Sequence, residues 1–259
     1  MDISALGKTQ DTSFVTNTSG VRIDPYVIYQ LNFKALGGEK HVKSASTFSF
    51  KGGIELDGHT LDIEEYISTP LKSFKIILSN STVILKDGND GWNLWSERNG
   101  KVNSVDYSIM PEREIKQLWA EYAYTDPKNT TFTSTAARKV SIDGVSCYEI
   151  KIRNKMTDEV VTQYYDAKTF LLNRELRETA TVKTQKDFSD YRSIGDIKVA
   201  FKVDTTDLLT NNMQSLTWDT VEKDVYIAES LFDVPKDRGA SMDNKAILRG
   251  IGANLSTYA

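Results

Sequence analysis

The sequence predicts a mainly β (α+β) protein: a single strongly curved antiparallel sheet of about eleven strands, with two helices available to cover its concave face. The first observation is the stretch 164–203, YYDAKTFLLNRELRETATVKTQKDFSDYRSIGDIKVAFKV, which reads as consecutive strands joined by short turns. In it Ile197, Val199, Phe201 and Val203 alternate with Lys198, Ala200 and Lys202, giving one apolar face and one mostly wet face. The second is that the same period of two recurs over 44–85 and 139–225, punctuated by turn residues. The third is that helical spacing appears in only two stretches, near residues 25–35 and 111–122.

Taken in order, residues 1–21 are rich in Ser, Thr, Asn and Gly and read as an N-terminal tail, with an edge strand through Ser13-Phe14-Val15. Asp24 then caps a helix with Pro25 at its first position; Ile28, Leu31 and Ala35 follow at helical spacing, and Gly37-Gly38 ends it. Phe48, Phe50, Ile54 and Leu56 alternate along the next strand, where Gly52-Gly53 marks a bulge or bend. Asp57-Gly58-His59 is a hairpin turn, and Leu61, Ile63 and Ile67 form the return strand, broken by Thr69-Pro70. Phe74, Ile76 and Leu78 form a further strand, as do Val83 with Leu85 and, after the DGNDG loop, 91–95.

The second helix is predicted from Pro111 to Tyr122, with Ile115, Leu118, Trp119 and Tyr122 on one stripe and Glu112 and Glu114 at its positive end. Strands resume with KVSIDGVSCYEIKI, in which Tyr148, Ile150 and Ile152 share a face, and continue through 164–203 to a last strand carrying Leu216, Trp218, Val221 and Val225. Residues 22–236 are thus read as one domain and 237–259 as a C-terminal tail.

Composition narrows the function classes. The net charge is −4, and the basic residues (Lys40, Lys43, Arg138, Lys139, Lys151, Arg153, Lys155) are scattered among apolar neighbours, as on the wet face of strands, so nucleic acid is not an expected partner. No apolar run approaches the ~18 residues of a membrane span. MDISALGKTQDTSF shows no basic and apolar leader pattern, so no signal peptide is visible. Cys147 is the lone cysteine, which rules out an intrachain disulfide, and reads as a buried core thiol.

His41 and His59 make no metal-ligand spacing, and no cofactor motif is present, so neither metal nor cofactor is expected. Glu64 and Glu65, adjacent on a strand, point to opposite faces, and Asp190 reads as a turn residue bonded to nearby backbone. Catalytic residues are therefore not expected; a carboxylate-dependent hydrolase would need acids brought together by the fold.

Several motifs occur together and in order: Ala35-Leu36-Gly37-Gly38; Gly52 to Gly58; Pro70; Asp87-Gly88 with Gly91-Trp92; Pro111-Glu112; Asp143-Gly144 with Tyr148-Glu149-Ile150; and Leu231-Phe232-Asp233-Val234-Pro235. The fullest are Tyr164 to Arg174, of the form Y-x-D-x-K-T-x-L-x-x-R, and Phe188 to Lys198, of the form y-S-D-Y-R-x-x-G-x-I-K. In these the chain resembles the outer-membrane lipoprotein-sorting (LolA/LolB-like) family, as a divergent envelope member, over about residues 24–236. It departs from the carriers in having Phe74 where they place an arginine, and from other divergent members in having Ala200 where they place a proline.

The resemblance implies a half-open β-barrel with helices over its mouth, enclosing an apolar cavity for acyl chains. It implies a non-catalytic carrier or chaperone for a lipid or a lipoprotein's lipid moiety, in the periplasm or cell envelope. An adaptor or regulatory module that binds an envelope protein on the same fold is the alternative. The expected cavity wall is Phe48, Phe50, Ile63, Phe74, Ile76, Tyr148, Tyr165, Phe201 and Trp218, under a lid of Ile115, Leu118, Trp119 and Tyr122. The same residues would also serve to fill a dry core, because alternation alone does not separate a cavity wall from a packed interior.

Overall fold

The computed structural model describes residues 15–56, 58–68, 72–80, 82–98, 101–106, 123–156, 158–179 and 181–235, with the backbone alone for 15–21, 84, 105, 106 and 123. The elements run β1 (Val15–Ile23), α1 (Pro25–Ala35), α2 (Glu39–Ser44), β2 (Thr47–Leu56), β3 (His59–Ser68), β4 (Lys72–Ser79), β5 (Thr82–Asn89), β6 (Asn93–Arg98) and β7 (Lys101–Asp106). They continue with β8 (Phe132–Ser134), β9 (Ala137–Ile142), β10 (Val145–Asn154), β11 (Val160–Asp166), β12 (Leu172–Glu178), β13 (Lys183–Ile194), β14 (Ile197–Asp207) and β15 (Met213–Lys223).

All the strands belong to one antiparallel sheet in the order β1-β9-β10-β11-β12-β13-β14-β15-β2-β3-β4-β5-β6-β7, with β8 paired to β10 outside that path. The order begins and ends on different strands, so the sheet is not closed. Two meanders, β2–β7 and β9–β15, are stitched together where β15 pairs with β2. The fold is mainly β with few helices, as the sequence predicts, but the described residues contain fifteen strands rather than about eleven. Those without an apolar signal are short or polar: β7 ends the sheet, β8 has three residues, and β1, the edge strand expected through Val15, runs on to Ile23. An edge or appended strand is held by ladder hydrogen bonds on one side and needs little apolar alternation, which is the signal a sequence offers.

Helix α1 begins where the sequence places it. The Asp24 side chain accepts from Tyr26 N at 3.0 Å, and Pro25 fills the first turn. Its buried face is Ile28, Tyr29, Asn32 and Phe33, rotated from the predicted stripe of Ile28, Leu31 and Ala35. The predicted helix over 111–122 lies outside the described residues.

The helix ends in Leu36-Gly37-Gly38 against the β13–β14 turn. Lys198 N donates to Leu36 O at 2.8 Å, and a Cβ on Gly37, which has φ +116°, would collide with the Asp196 carbonyl. Asp196 itself lies 3.0 Å from His41 Nδ1 and meets the Lys223 ammonium, whose hydrogen bond foremost holds its carboxyl below the usual range. Two separate sequence motifs thus meet at one corner and fix the helix to the sheet. Asp190, in contrast to the backbone role predicted for it, lies within β13 and accepts from Arg192 Nε at 3.1 Å, while the Arg192 guanidinium stands 4.4 Å from the centre of the Phe201 ring.

Strand register sorts side chains onto two faces. The inner face, on which α1 packs, carries one large apolar cluster drawn from β2, β3 and β9–β15. The outer face carries two smaller clusters. Val140, Ile142, Cys147 and Tyr164 form one, with Leu176 against them. Phe74, Trp95 and Phe232 form the other, closed over by Ile227, Leu231 and Val234 of the segment after β15.

Candidate functional site

The inner face begins from rows of cross-strand partners. Phe50 faces Val221, Ile54 faces Leu216, Leu216 faces Val203, and Val203 faces Phe188, so one apolar row crosses β13, β14, β15 and β2. The ring centroids of Phe50 and Trp218 are 5.2 Å apart, and those of Phe48 and Phe50 5.7 Å. Across the sheet, Tyr29 of α1 meets Tyr165 of β11 and Tyr124 edge to face, and its hydroxyl bonds Ser134 Oγ at 3.1 Å. Burial pushes the hydroxyls of Tyr29 and Tyr165 well above the usual phenol range, so both stay neutral hydrogen-bond donors.

Of the predicted wall, Phe50, Ile63, Tyr165, Phe201 and Trp218 are buried in this cluster, and Phe48 and Tyr148 pack against it half-buried. Phe74 and Ile76 do not join them. They pair with Tyr66 and Glu64, one position out of phase with Ile63 and Glu65, and lie with Trp95 and Phe232 on the outer face. The alternation of the β4 segment, KSFKIILS, is satisfied on either face, because Ile77 on the inner side is as apolar as Ile76 on the outer. Ile115, Leu118, Trp119 and Tyr122 lie outside the described residues.

The same face holds a polar group that sequence reasoning missed. Gln163 of β11, Glu175 of β12 and Lys186 of β13 are successive cross-strand neighbours, all buried. Tyr165 Oη donates to Gln163 Oε1 at 2.7 Å; Gln163 Nε2 donates to Glu175 Oε2 at 3.0 Å and to Tyr124 Oη at 3.3 Å. Arg177 reaches Glu175 at 3.5 Å through Nη2 and Glu159 at 2.8 Å through Nη1.

Lys186, 6% exposed, is held down to about 8 by burial, which penalises its charge. Glu175 and Glu65 oppose that effect, and Arg177 and Lys75 reinforce it. Glu65 on β3 and Lys75 on β4 are four and five strands along the path from β13. At about 4.8 Å per strand a flat sheet would hold them some 20 Å or more away. Their influence on Lys186 requires the sheet to curl until its two wings face each other. The signal was present in the sequence: Gln163 stands two residues from Tyr165, and Lys186 two from Phe188, so each shares a strand face with an aromatic.

Among the described residues no group of three or more His, Cys, Asp or Glu side chains is placed to hold a metal ion, and no helix is long and apolar enough to cross a membrane.

No protein-family model and no curated protein matches the chain. Solved structures do. A DUF1329 family protein from Desulfovibrio piger superposes with a TM-score of 0.56 at 14% identity, over 81% of this chain and 98% of that one. A LolA superfamily protein from Nitrosomonas europaea gives 0.54 at 10% identity, over 82% and 98%. A putative outer membrane lipoprotein-sorting protein domain from Vibrio parahaemolyticus gives 0.53 at 11% identity, over 86% and 97%. The fold is that of the LolA-like proteins, as the motifs of the sequence imply, and at these identities the likeness is one of fold.

Proposed function

We propose that this protein is a non-catalytic carrier or chaperone that holds an acyl chain, as free lipid or as the lipid moiety of a lipoprotein, against the inner face of its sheet. The observation that carries the reading is the inner apolar cluster itself. It extends from β9 to β3 on a sheet that is not closed, broken by one polar group on β11–β13, and α1 is the one longer helix described upon it. Each methylene moved from water onto such a surface contributes about 0.8 kcal/mol, so a chain of ordinary length binds without needing a strong polar anchor.

The fold neighbours support the direction of the reading: one is described as a lipoprotein-sorting domain and one as a LolA superfamily protein. On this reading residues 22–236 form a half-open barrel and the protein works in the periplasm or cell envelope. Phe48, Phe50, Ile63, Tyr148, Tyr165, Phe201 and Trp218 line the chain's path, and Ile115, Leu118, Trp119 and Tyr122 supply a helical lid. Phe74 and Ile76 drop out of the wall, because they face outward.

The test is native mass spectrometry of protein purified from its own host, followed by lipid extraction and titration with a fluorescent fatty-acid probe. A lipid adduct and displaceable probe binding are expected. A lipid-free protein that ignores the probe and crosslinks to a defined protein would replace this reading with an adaptor.

A further inference from the structure

The inner face is apolar along most of its length and polar at one place, and that place contains donors that the described residues leave unused. Nearly all buried polar groups in folded proteins are hydrogen-bonded. The relay Tyr165–Gln163–Glu175–Arg177–Glu159 obeys this rule, bond by bond. Lys186 beside the relay and the Nε of Arg177 within it are not so engaged. Among the described residues, no carboxylate lies within ion-pair distance of the Lys186 ammonium and no hydrogen bond is made to it, although the side chain is almost wholly buried. Arg177 Nε is likewise buried with no acceptor.

The two sit side by side. Glu175 faces Lys186 and Arg177 faces Thr184 across the β12–β13 ladder, which puts Arg177 and Lys186 on one face, one diagonal step apart. Leaving a charge buried without a bonded partner costs several kcal/mol. The charge of Arg177 is met through its Nη atoms by Glu159 and Glu175, so what is left over is its Nε donor beside the Lys186 ammonium, and the two together offer a place for an acceptor.

Resting on the acyl-chain reading above, we propose that Lys186 and Arg177 form a head-group subsite that takes the acceptor oxygen at the end of the chain, a carboxylate or an ester carbonyl. The direction of the chain follows from the register. Phe188 stands two residues from Lys186 on the same face of β13, and Val203, Leu216 and Ile54 continue the row across β14, β15 and β2. An oxygen held at Lys186 therefore delivers its hydrocarbon to the apolar row. The groups facing Lys186 are Glu175 and Arg177 from β12, Glu65 from β3 and Lys75 from β4. The two carboxylates favour its protonated form, which keeps it a donor at neutral pH, while Lys75 is itself engaged by Asp87 at 3.3 Å.

The experiment displaces an environment-sensitive dye with three ligands of equal chain length: a fatty acid, its methyl ester and the alkane. It uses the full-length wild type, Lys186→Met and Arg177→Lys; the last keeps the charge beside Glu159 and removes the Nε donor. In the wild type the acid, the ester or both are expected to bind about tenfold or more tighter than the alkane, the usual worth of a hydrogen bond to a charged group. Lys186→Met should bring them down to the alkane, whose own affinity stays unchanged, and Arg177→Lys should lower them by a smaller factor. Acid above ester identifies a free carboxylate as the natural end group; equality identifies an esterified chain. Equal binding of all three ligands by the wild type, or unchanged head-group preference in both variants, overturns the subsite and leaves the carrier reading intact. No binding of any ligand overturns both. Should Lys186→Met fail to fold, the Arg177→Lys comparison decides alone.

Discussion

Gly52 and Gly53 stand next to each other on β2 and do different jobs. A Cβ on Gly52 would collide with the Thr217 carbonyl, beside the bulge between Trp218 and Thr220 on β15. A Cβ on Gly53 would come 3.3 Å from the Thr60 methyl, a contact a side chain can relieve. Gly52→Ala should therefore lose about 1–3 kcal/mol in urea unfolding, the usual cost of overpacking, and Gly53→Ala well under half of that. Equal losses would contradict the assignment.

Lys186 gives a second prediction at this scale. Its folded value of about 8 lies below the ordinary 10.5, so between those values the unfolded chain binds more protons and stability rises with pH. Below pH 8 the buried charge is a burden of about 3 kcal/mol, taken from about 1.4 kcal/mol per pH unit. Lys186→Met should be more stable than the wild type at neutral pH, and the gap should close as pH climbs past 10. Denaturation of both proteins at several pH values checks this; a gap independent of pH would contradict it. Such a residue was legible in part, because Lys186 shares parity with Phe188. Its electrostatic surroundings were not, since Glu65 and Lys75 act on it from β3 and β4, more than a hundred residues away in sequence.

Among the elements, strong alternation was a reliable guide to a strand and a poor guide to its orientation. β14 folds largely as the sequence reads, with Ile197, Val199, Phe201 and Val203 buried and Lys198 exposed, although Ala200, expected on the wet face, is buried too. β4 has Phe74 and Ile76 on one side and Ile77 on the other, so its phase was settled by register with β3 rather than by pattern. What covers the outer side is the segment after β15. Trp95 Nε1 donates to Phe232 O at 3.0 Å, and Trp95 lies so close over Gly88 that a Cβ there would strike its ring. That accounts for two elements of the sequence motifs together, Gly88 and the terminal L-F-x-x-P, whereas the motif's own Trp92 is exposed. Phe232 is 1% exposed, and Phe232→Ala should cost about 3–5 kcal/mol, the usual range for a buried aromatic. Because Trp95 touches it, tryptophan fluorescence during denaturant unfolding reports the change; a loss under 1 kcal/mol would mean that this segment is not part of the core.

At the level of the whole molecule, consecutive short-turn strands imply one meandering antiparallel sheet, and that much follows from local pattern. The joining of β15 to β2 and of β1 to β9 does not, since both pairings bring together segments far apart in sequence. They matter most for function, because they bend two meanders into a single surface whose wings approach each other across Lys186. The central claim is that this inner surface holds an acyl chain. Its most direct test is native mass spectrometry of the protein from its own host, with lipid extraction and fatty-acid probe titration on the same preparation. The account predicts a mass adduct that extracts as lipid and a saturable probe signal that the lipid displaces. A single lipid-free mass with no saturable probe binding would contradict it.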